Sequence, residues 1–100
     1  MEIKSFKRAL NETSPPKNLS PALLALWYAG NKDWQRAHEI VQEESSADCA
    51  WVHALLHRQE GDYGNACYWY ARAKENAPPK SADLQDEWDR IVEALLVSNT

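Results

Sequence analysis

Along this chain, residues suited to packing recur with the spacing of one face of an α-helix rather than with the alternation of a β-strand. Between residues 33 and 43, Trp34, Ala37, His38 and Val41 are spaced by three and four and share one face, while most of the intervening residues are polar. Similar spacing returns in four other stretches. It predicts an all-α protein with no sheet and about five helices, near residues 20–30, 33–43, 47–60, 62–76 and 82–97.

Capping residues mark the ends of these helices. Ser20 supplies an N-cap hydroxyl, and Pro21 after it is a proline in the first turn of the helix. Asp33 and Asp62 are placed to cap the second and fourth helices, and Ser81 to cap the fifth. Because each cap satisfies backbone N–H groups that a helix start leaves free, these positions fix where the helices begin.

The second and fourth predicted helices are related by an internal repeat. Four pairs of positions match at one constant offset, and such an offset is typical of stacked helix-turn-helix units. The repeat therefore predicts antiparallel helical pairs. The matched pairs are Asp33 with Asp62, Trp34 with Tyr63, Ala37 with Ala66, and Val41 with Tyr70.

Consecutive prolines divide the chain into two parts. Pro15 and Pro16 break a helix and hold the preceding residue extended, so residues 1–18 are predicted to form an N-terminal arm and linker. Residues 19–100 form the helical repeat domain, closed by an amphipathic capping helix at 81–97.

The number of repeats bears on self-association. Stacked arrays usually need about three units to bury a continuous core, and this chain has two units and a cap. The first repeat would then expose Leu23, Leu26 and Trp27 unless the arm covers them. We expect a homodimer through this face, because the Pro-rich linker makes docking of the arm depend on a fixed turn.

Residues 20–79 resemble two tetratricopeptide repeats. The pattern of that family has a leucine, a small residue and a tyrosine on the first helix, a small residue and an aromatic on the second, and then a proline. His53 and His57 stand where the second unit would have the leucine and the tyrosine. The matching residues are Leu24, Ala25, Tyr28, Ala37 and, in the aromatic place, Val41 in the first unit, and Ala54, Ala66, Tyr70 and Pro78 in the second.

This resemblance implies a right-handed superhelix that acts as a protein-interaction scaffold. In that family a peptide or partner protein lies in a concave groove lined by the first helix of each repeat. A scaffold of this kind requires no cofactor. The groove residues implied here are Leu26, Trp51, Leu55, Arg58 and Gln59.

Composition and charge exclude several classes of partner. With 100 residues, 44% of them apolar, the chain suits one small domain with a core. A formal charge of -4 argues against nucleic acid, which requires a basic surface. No stretch approaches the ~20 apolar residues of a membrane span, and no signal peptide is evident. We therefore expect a cytoplasmic protein with Cys49 and Cys67 reduced.

The side chains best suited to chemistry lie on the third predicted helix. Cys49, His53 and His57 are four residues apart, with Glu60 three further on, and these residue types can bind zinc. No second pair of ligands completes a tetrahedron, so we expect both histidines to be structural, bonded to Tyr70, Glu60 or a carbonyl, with no metal bound. The alternative is a small polar-ligand or metal-binding site built around His53, His57 and Tyr70, with His57 as a base.

No familiar catalytic motif accompanies these histidines. The chain has no glycine-rich phosphate loop, no Gly-x-Ser-x-Gly elbow and no paired catalytic carboxylates. The sequence therefore favours a binding protein over an enzyme.

Overall fold

The computed structural model describes residues 1–98, which form six α-helices and no β-strand. The prediction of an all-α fold is confirmed over this range, whereas residues 99–100 of the predicted repeat domain lie outside the described residues. About five helices were expected, and the additional one lies in the N-terminal arm. Within residues 1–98, no helix is both long and apolar enough to cross a membrane. The helices are α1 (Ile3–Ala9), α2 (Pro21–Gly30), α3 (Trp34–Gln42), α4 (Ala47–Gln59), α5 (Tyr63–Ala73) and α6 (Leu84–Ser98).

The four central helices pack as two pairs, α2 with α3 and α4 with α5. In the first turn the N–H of Asp33 donates to the carbonyl of Tyr28, and in the second the N–H of Asp62 donates to the carbonyl of His57, both at 2.9 Å. The side chains of Asp33 and Asp62 then accept from the N–H three residues further on and cap the next helix. The two turns thus repeat one arrangement.

Two helix ends differ from those predicted. α5 ends earlier than expected, because Lys74 takes a left-handed conformation with φ 62° and closes the helix. α6 begins at Leu84, later than expected, and its cap is Asp83 rather than Ser81. The Asp83 carboxylate accepts from the N–H of Asp86 at 2.9 Å.

The last helix, α6, packs on both α2 and α4, the first helices of the two pairs. The indole Nε1 of Trp88 donates to the carbonyl of Leu26 at 2.9 Å, and the Arg58 guanidinium donates to the carbonyl of Ala82. A Cβ at Gly30 would lie 3.0 Å from the Trp88 ring, so glycine permits this close approach. The face predicted to receive a partner is therefore occupied by a helix of the same chain.

The N-terminal arm is a docked helix rather than a loose segment. Phe6 of α1 is fully buried, and its ring centroid lies 5.8 Å from that of Trp88. The Trp27 indole donates to the carbonyl of Ala9 at 2.9 Å, which holds the end of α1 against α2. Leu23 and Trp27 are consequently buried within one chain. The apolar surface on which the expected homodimer depended is covered within one chain, which favours a monomer.

The core is built around small residues at the paired helices. Four alanines, two in each pair, have no exposed surface and allow the helix backbones to approach closely. Larger side chains fill the space beside them. The alanines are Ala25, Ala37, Ala54 and Ala66, and the largest fully buried side chains include Tyr70, Phe6, Leu26, Leu55, Leu56 and Ile91.

Candidate metal centre

Three histidines meet between α3 and α4, and they are all the histidines in the chain. His53 and His57 lie one turn apart on α4, with their rings stacked at a centroid distance of 4.8 Å. His38 comes from α3 and meets both rings edge to face, at 4.8 Å from His53 and 5.7 Å from His57. The packing of α3 on α4 therefore places three imidazoles in one cluster.

The ring nitrogens of this histidine cluster converge. One nitrogen from each of His38, His53 and His57 lies within 4.8 Å of the other two, and the Nε2 atoms of His38 and His53 are 3.2 Å apart. At 3.2 Å one of these two nitrogens carries a proton that it donates to the other. The cluster can therefore share a proton or place lone pairs around a common centre.

Two tryptophans enclose the cluster. Trp69 of α5 stacks on His53 at a centroid distance of 3.9 Å, and Trp34 of α3 stacks on His38 at 4.7 Å. Trp34 is held in place because its Nε1 donates to the carbonyl of Leu56 at 2.8 Å. His53 and His57 are buried, whereas His38 is half-buried. Solvent therefore reaches the cluster most readily from the side of His38.

A carboxylate orients the third imidazole. The Nδ1 of His57 lies 2.6 Å from Oε1 of Glu60. A carboxylate only accepts hydrogen bonds, so Nδ1 is the protonated nitrogen and donates. The neutral ring then carries its lone pair on Nε2. Asp62, with Glu60 and His57, forms a second group whose possible ligand atoms lie within 4.8 Å of one another.

Burial and mutual repulsion keep two of the imidazoles neutral. Desolvation lowers the pKa of His53 to about 4, with further contributions from the neighbouring His57 and His38. The pKa of His38 is also lowered, first by desolvation and then by His57. At pH 7 both rings therefore lack the positive charge that would repel a cation.

The hydrogen-bonding of His53 is incomplete. Its Nδ1 is buried and has no hydrogen-bond partner among residues 1–98. Buried polar atoms in folded proteins are nearly always paired, and unpaired ones are often found at functional sites. This atom is not the ring nitrogen that approaches His38, which is Nε2.

The structure separates Tyr70 and Cys49 from the histidine cluster. The Tyr70 hydroxyl donates to Oε2 of Glu87 at 2.9 Å, so this side chain interacts with α6. Desolvation, followed by the charge of Glu87, raises the pKa of Tyr70. Cys49 is buried and is not among the groups whose possible ligand atoms converge. The partners predicted for the histidines were Tyr70, Glu60 or a carbonyl. Glu60 is the partner of His57, whereas Tyr70 bonds to Glu87 instead.

His38 is the residue that sequence reasoning missed as part of this site. It was assigned to the face of α3 that also carries Trp34, Ala37 and Val41, and such a face packs against another helix. The position of a histidine on a face that packs against another helix was therefore the only sequence feature pointing to His38 as part of the site. Recognising it required knowing that the opposite helix would present His53.

Four of the five residues proposed to line a groove are buried. Leu26 and Leu55 have no exposed surface, Trp51 is 8% exposed and Arg58 is 7% exposed. Gln59 alone among the five is exposed. In this conformation the inner face of α2 and α4 therefore offers little surface to another molecule.

Comparisons of the chain with protein-family models, with curated proteins and with solved structures found no match. The resemblance to tetratricopeptide repeats stays a prediction.

Proposed function

We propose that this protein binds one divalent transition-metal ion through the imidazoles of His38, His53 and His57. The observation that carries the proposal is the convergence of three ring nitrogens within 4.8 Å, with two of them 3.2 Å apart. Two nitrogens on one tetrahedral ion lie about 3.3 Å apart, since Zn–N bonds are about 2.0–2.1 Å long. One pair already has this spacing, and only the third nitrogen must move inward.

The protonation states support metal binding at neutral pH. A metal ion binds the deprotonated nitrogen of a neutral imidazole and must otherwise displace a proton. Because the pKa of His53 is lowered to about 4 and that of His38 is lowered as well, both rings are available as ligands. Affinity should therefore change little between pH 7 and pH 8.

Glu60 supplies the support that metal-bound histidines usually have. A ligating imidazole commonly donates its other N–H to a carboxylate, which fixes its tautomer and orientation. The contact of His57 Nδ1 with Glu60 at 2.6 Å provides this arrangement before any ion binds. Three protein ligands leave a further coordination position for water, as in catalytic zinc sites. Imidazole ligands suit Zn²⁺, Cu²⁺, Ni²⁺ and Fe²⁺.

A third imidazole, absent from the expectation that no metal binds, makes a metal site possible. That expectation rested on the absence of further ligands beside His53 and His57. His38 supplies one from a neighbouring helix.

Titration calorimetry of untagged protein, stripped with a chelator and titrated with Zn²⁺ at pH 7.5, tests this proposal. We expect one equivalent to bind. Replacing Zn²⁺ with Co²⁺ should give visible absorption bands of a tetrahedral or five-coordinate site. His38→Gln should lower affinity by about tenfold or more, and Glu60→Gln by about tenfold. His38 is the best first variant, because it is the least buried of the three rings.

Glu43→Gln is the matched control, since it removes an exposed carboxylate from the end of α3 without touching the cluster. It should bind Zn²⁺ as the unmodified protein does. Binding that is substoichiometric, or equal in His38→Gln and the unmodified protein, would reject the proposal.

A second candidate function is the binding of a peptide or partner protein by a tetratricopeptide-like right-handed scaffold. An exposed aromatic surface on α5 supports it. Tyr68 is 54% exposed, and the Arg72 guanidinium lies 5.8 Å from its ring and 5.2 Å from the ring of Trp69. Exposed aromatic side chains beside arginine are enriched at interaction hot spots. We propose this surface, rather than the covered inner face, as the contact, in a cytoplasmic setting that suits two free cysteines.

Cross-linking in lysate, followed by identification of captured chains, tests the scaffold function. A specific partner should be captured by the unmodified protein and lost with Tyr68→Ala. Tyr68 is exposed, so this change should leave folding intact. Capture that is identical with Tyr68→Ala would count against a contact on α5.

A further inference from the structure

A small cavity with two cations in its wall lies away from the histidine cluster. It has a volume of about 120 Å³ and forms where the end of α4, the start of α5 and the segment before α6 meet. Among residues 1–98, no carboxylate belongs to its wall. The lining residues are Arg58, Gly61, Tyr63, Lys80 and Leu84.

The arginine of this cavity is unusual in its burial. Arg58 is 7% exposed, its Nη2 donates to the carbonyl of Ala82, and its guanidinium also interacts with the side chain of Tyr70. Its Nη1 is buried and has no hydrogen-bond partner within that range. A guanidinium carries five N–H donors, so this side chain retains donor capacity that the chain does not use.

The charge of Arg58 also lacks a direct partner. Within residues 1–98 no carboxylate oxygen lies within 4.0 Å of the guanidinium. The buried carboxylate of Glu87 acts on the same region, because its charge and that of Arg58 shift the pKa of Tyr70 in opposite directions. Glu87, however, accepts from Tyr70 at 2.9 Å and lies 3.6 Å from Arg90. Because Glu87 also interacts with Tyr70 and Arg90, it compensates the buried charge of Arg58 only in part. A buried cation of this kind favours an anion beside it.

One hydrogen bond between two segments of the chain holds the rim of the cavity in place. The hydroxyl of Tyr63 donates to the carbonyl of Pro78 at 2.6 Å. This bond ties the start of α5 to the segment that carries Lys80. The ammonium of Lys80 is exposed and free to turn toward a ligand. The lysine therefore stands at the mouth of the cavity and the arginine in its wall.

We propose that this cavity binds a phosphate group. Arg58 and Lys80 supply two positive charges, which match a phosphate dianion better than a monocarboxylate. A guanidinium donates to phosphate oxygens through planar N–H groups, and an ammonium binds phosphate as a point charge. The Nη1 of Arg58 is buried, so the guanidinium would have to turn toward the cavity to donate from this atom. A volume of about 120 Å³ admits a phosphate group without a large substituent. The phosphate can belong to the free ion or to the end of a small phosphomonoester.

This site is independent of the proposed metal centre, since none of its lining residues belongs to the histidine cluster. The test therefore uses metal-free protein in the presence of a chelator. Inorganic phosphate and glycerol 3-phosphate are titrated separately at pH 7.5 and constant ionic strength, with binding followed by calorimetry and by amide chemical shifts. Sodium chloride and sodium acetate serve as reference anions.

Saturable binding of inorganic phosphate or glycerol 3-phosphate, with shifts at Gly61, Tyr63 and Lys80, is the expected result. Tighter binding of the ester identifies a phosphomonoester as the source, and tighter binding of inorganic phosphate identifies the free ion. Lys80→Gln should weaken binding about threefold, because it removes one exposed charge. Arg58→Lys keeps the charge but loses the paired donors and should weaken binding about tenfold.

Lys4→Gln is the matched control, because Lys4 is exposed on α1 and does not line the cavity. It should bind phosphate as the unmodified protein does. If Arg58→Lys fails to fold, the comparison of Lys80→Gln with Lys4→Gln decides alone. No saturable binding of either phosphate compound, equal binding of acetate, or equal losses in Lys80→Gln and Lys4→Gln would overturn the proposal.

Discussion

The indole nitrogen of Trp88 donates a hydrogen bond to the main-chain carbonyl of Leu26 at 2.9 Å, across 62 positions of sequence. This bond fastens α6 to α2. Trp88 also contacts Phe6 and stands over Gly30, so one side chain joins α6 with both α1 and α2. The inner face of the two helical pairs is closed by this contact.

Replacing Trp88 should separate the contribution of its ring from that of its hydrogen bond. Trp88→Phe keeps much of the apolar packing but loses the bond to Leu26, and should lower the free energy of unfolding by about 1–2 kcal/mol. Trp88→Ala also leaves a cavity and should cost about 3–5 kcal/mol. Urea unfolding followed by circular dichroism measures both. An unchanged free energy of unfolding in Trp88→Phe would show that the indole N–H contributes nothing, and equal losses in the two variants would show that the ring packing contributes nothing.

Two helical glycines should respond in opposite ways to alanine. A Cβ at Gly30 would stand 2.9 Å from a Leu10 methyl and 3.0 Å from the Trp88 ring, whereas a Cβ at Gly64 would meet nothing within 4 Å. Gly64→Ala should therefore raise the free energy of unfolding by about 0.5–1 kcal/mol through helix propensity. Gly30→Ala should lower it, because Leu10 and Trp88 must shift. Thermal unfolding of both variants tests the pair, and stabilisation by Gly30→Ala would contradict the packing described here.

How far the sequence predicts this fold is clearest at the helix starts. Ser20, Asp33 and Asp62 were assigned as caps, and each accepts from the N–H three residues on. Capping depends on a few consecutive residues, so it can be read locally. Asp83 was missed in favour of Ser81, because both offer a suitable oxygen and only the path of the chain distinguishes them.

Contacts between distant segments could not be predicted in the same way. Periodicity assigns a face to each helix but does not say which helix lies opposite. The meeting of His38 with His53 depends on the packing of α3 against α4, and the burial of Phe6 depends on how the arm returns. The candidate site was therefore predicted in part, with His53 and His57 identified and His38 missed.

The docking of α1 predicts the behaviour of the arm in solution. Phe6 is fully buried, so Phe6→Ala should lower the free energy of unfolding by about 3–5 kcal/mol. Lys4→Ala, on an exposed position of the same helix, should change it by no more than about 0.5 kcal/mol. Light scattering at micromolar concentration should give a monomer for the full chain. Deleting residues 1–16 should produce dimers or larger species, and a stable monomer after that deletion would show that α1 covers nothing essential.

The lowered pKa of His53 predicts how stability depends on pH. In the unfolded chain a histidine has a pKa near 6.5, whereas in the folded protein that of His53 is about 4. Between these values the unfolded state binds the extra proton, so lowering the pH favours unfolding. The contribution is fully present above about pH 6.5 and is lost as the pH falls toward 4. It amounts to roughly 3 kcal/mol over this window, and the lowered pKa of His38 adds to it in the same direction.

Urea unfolding between pH 4.5 and 7.5, with a chelator present to remove bound metal, measures this dependence. His53→Gln removes the titrating group and should flatten the loss of stability between pH 6.5 and 4.5. Glu43→Gln, which removes an exposed carboxylate at the C-cap of α3, should retain the slope of the unmodified protein. Because acidic residues also titrate near pH 4, the decisive quantity is the difference in slope between these two variants. Identical slopes would show that His53 is protonated as easily in the folded state as in the unfolded chain.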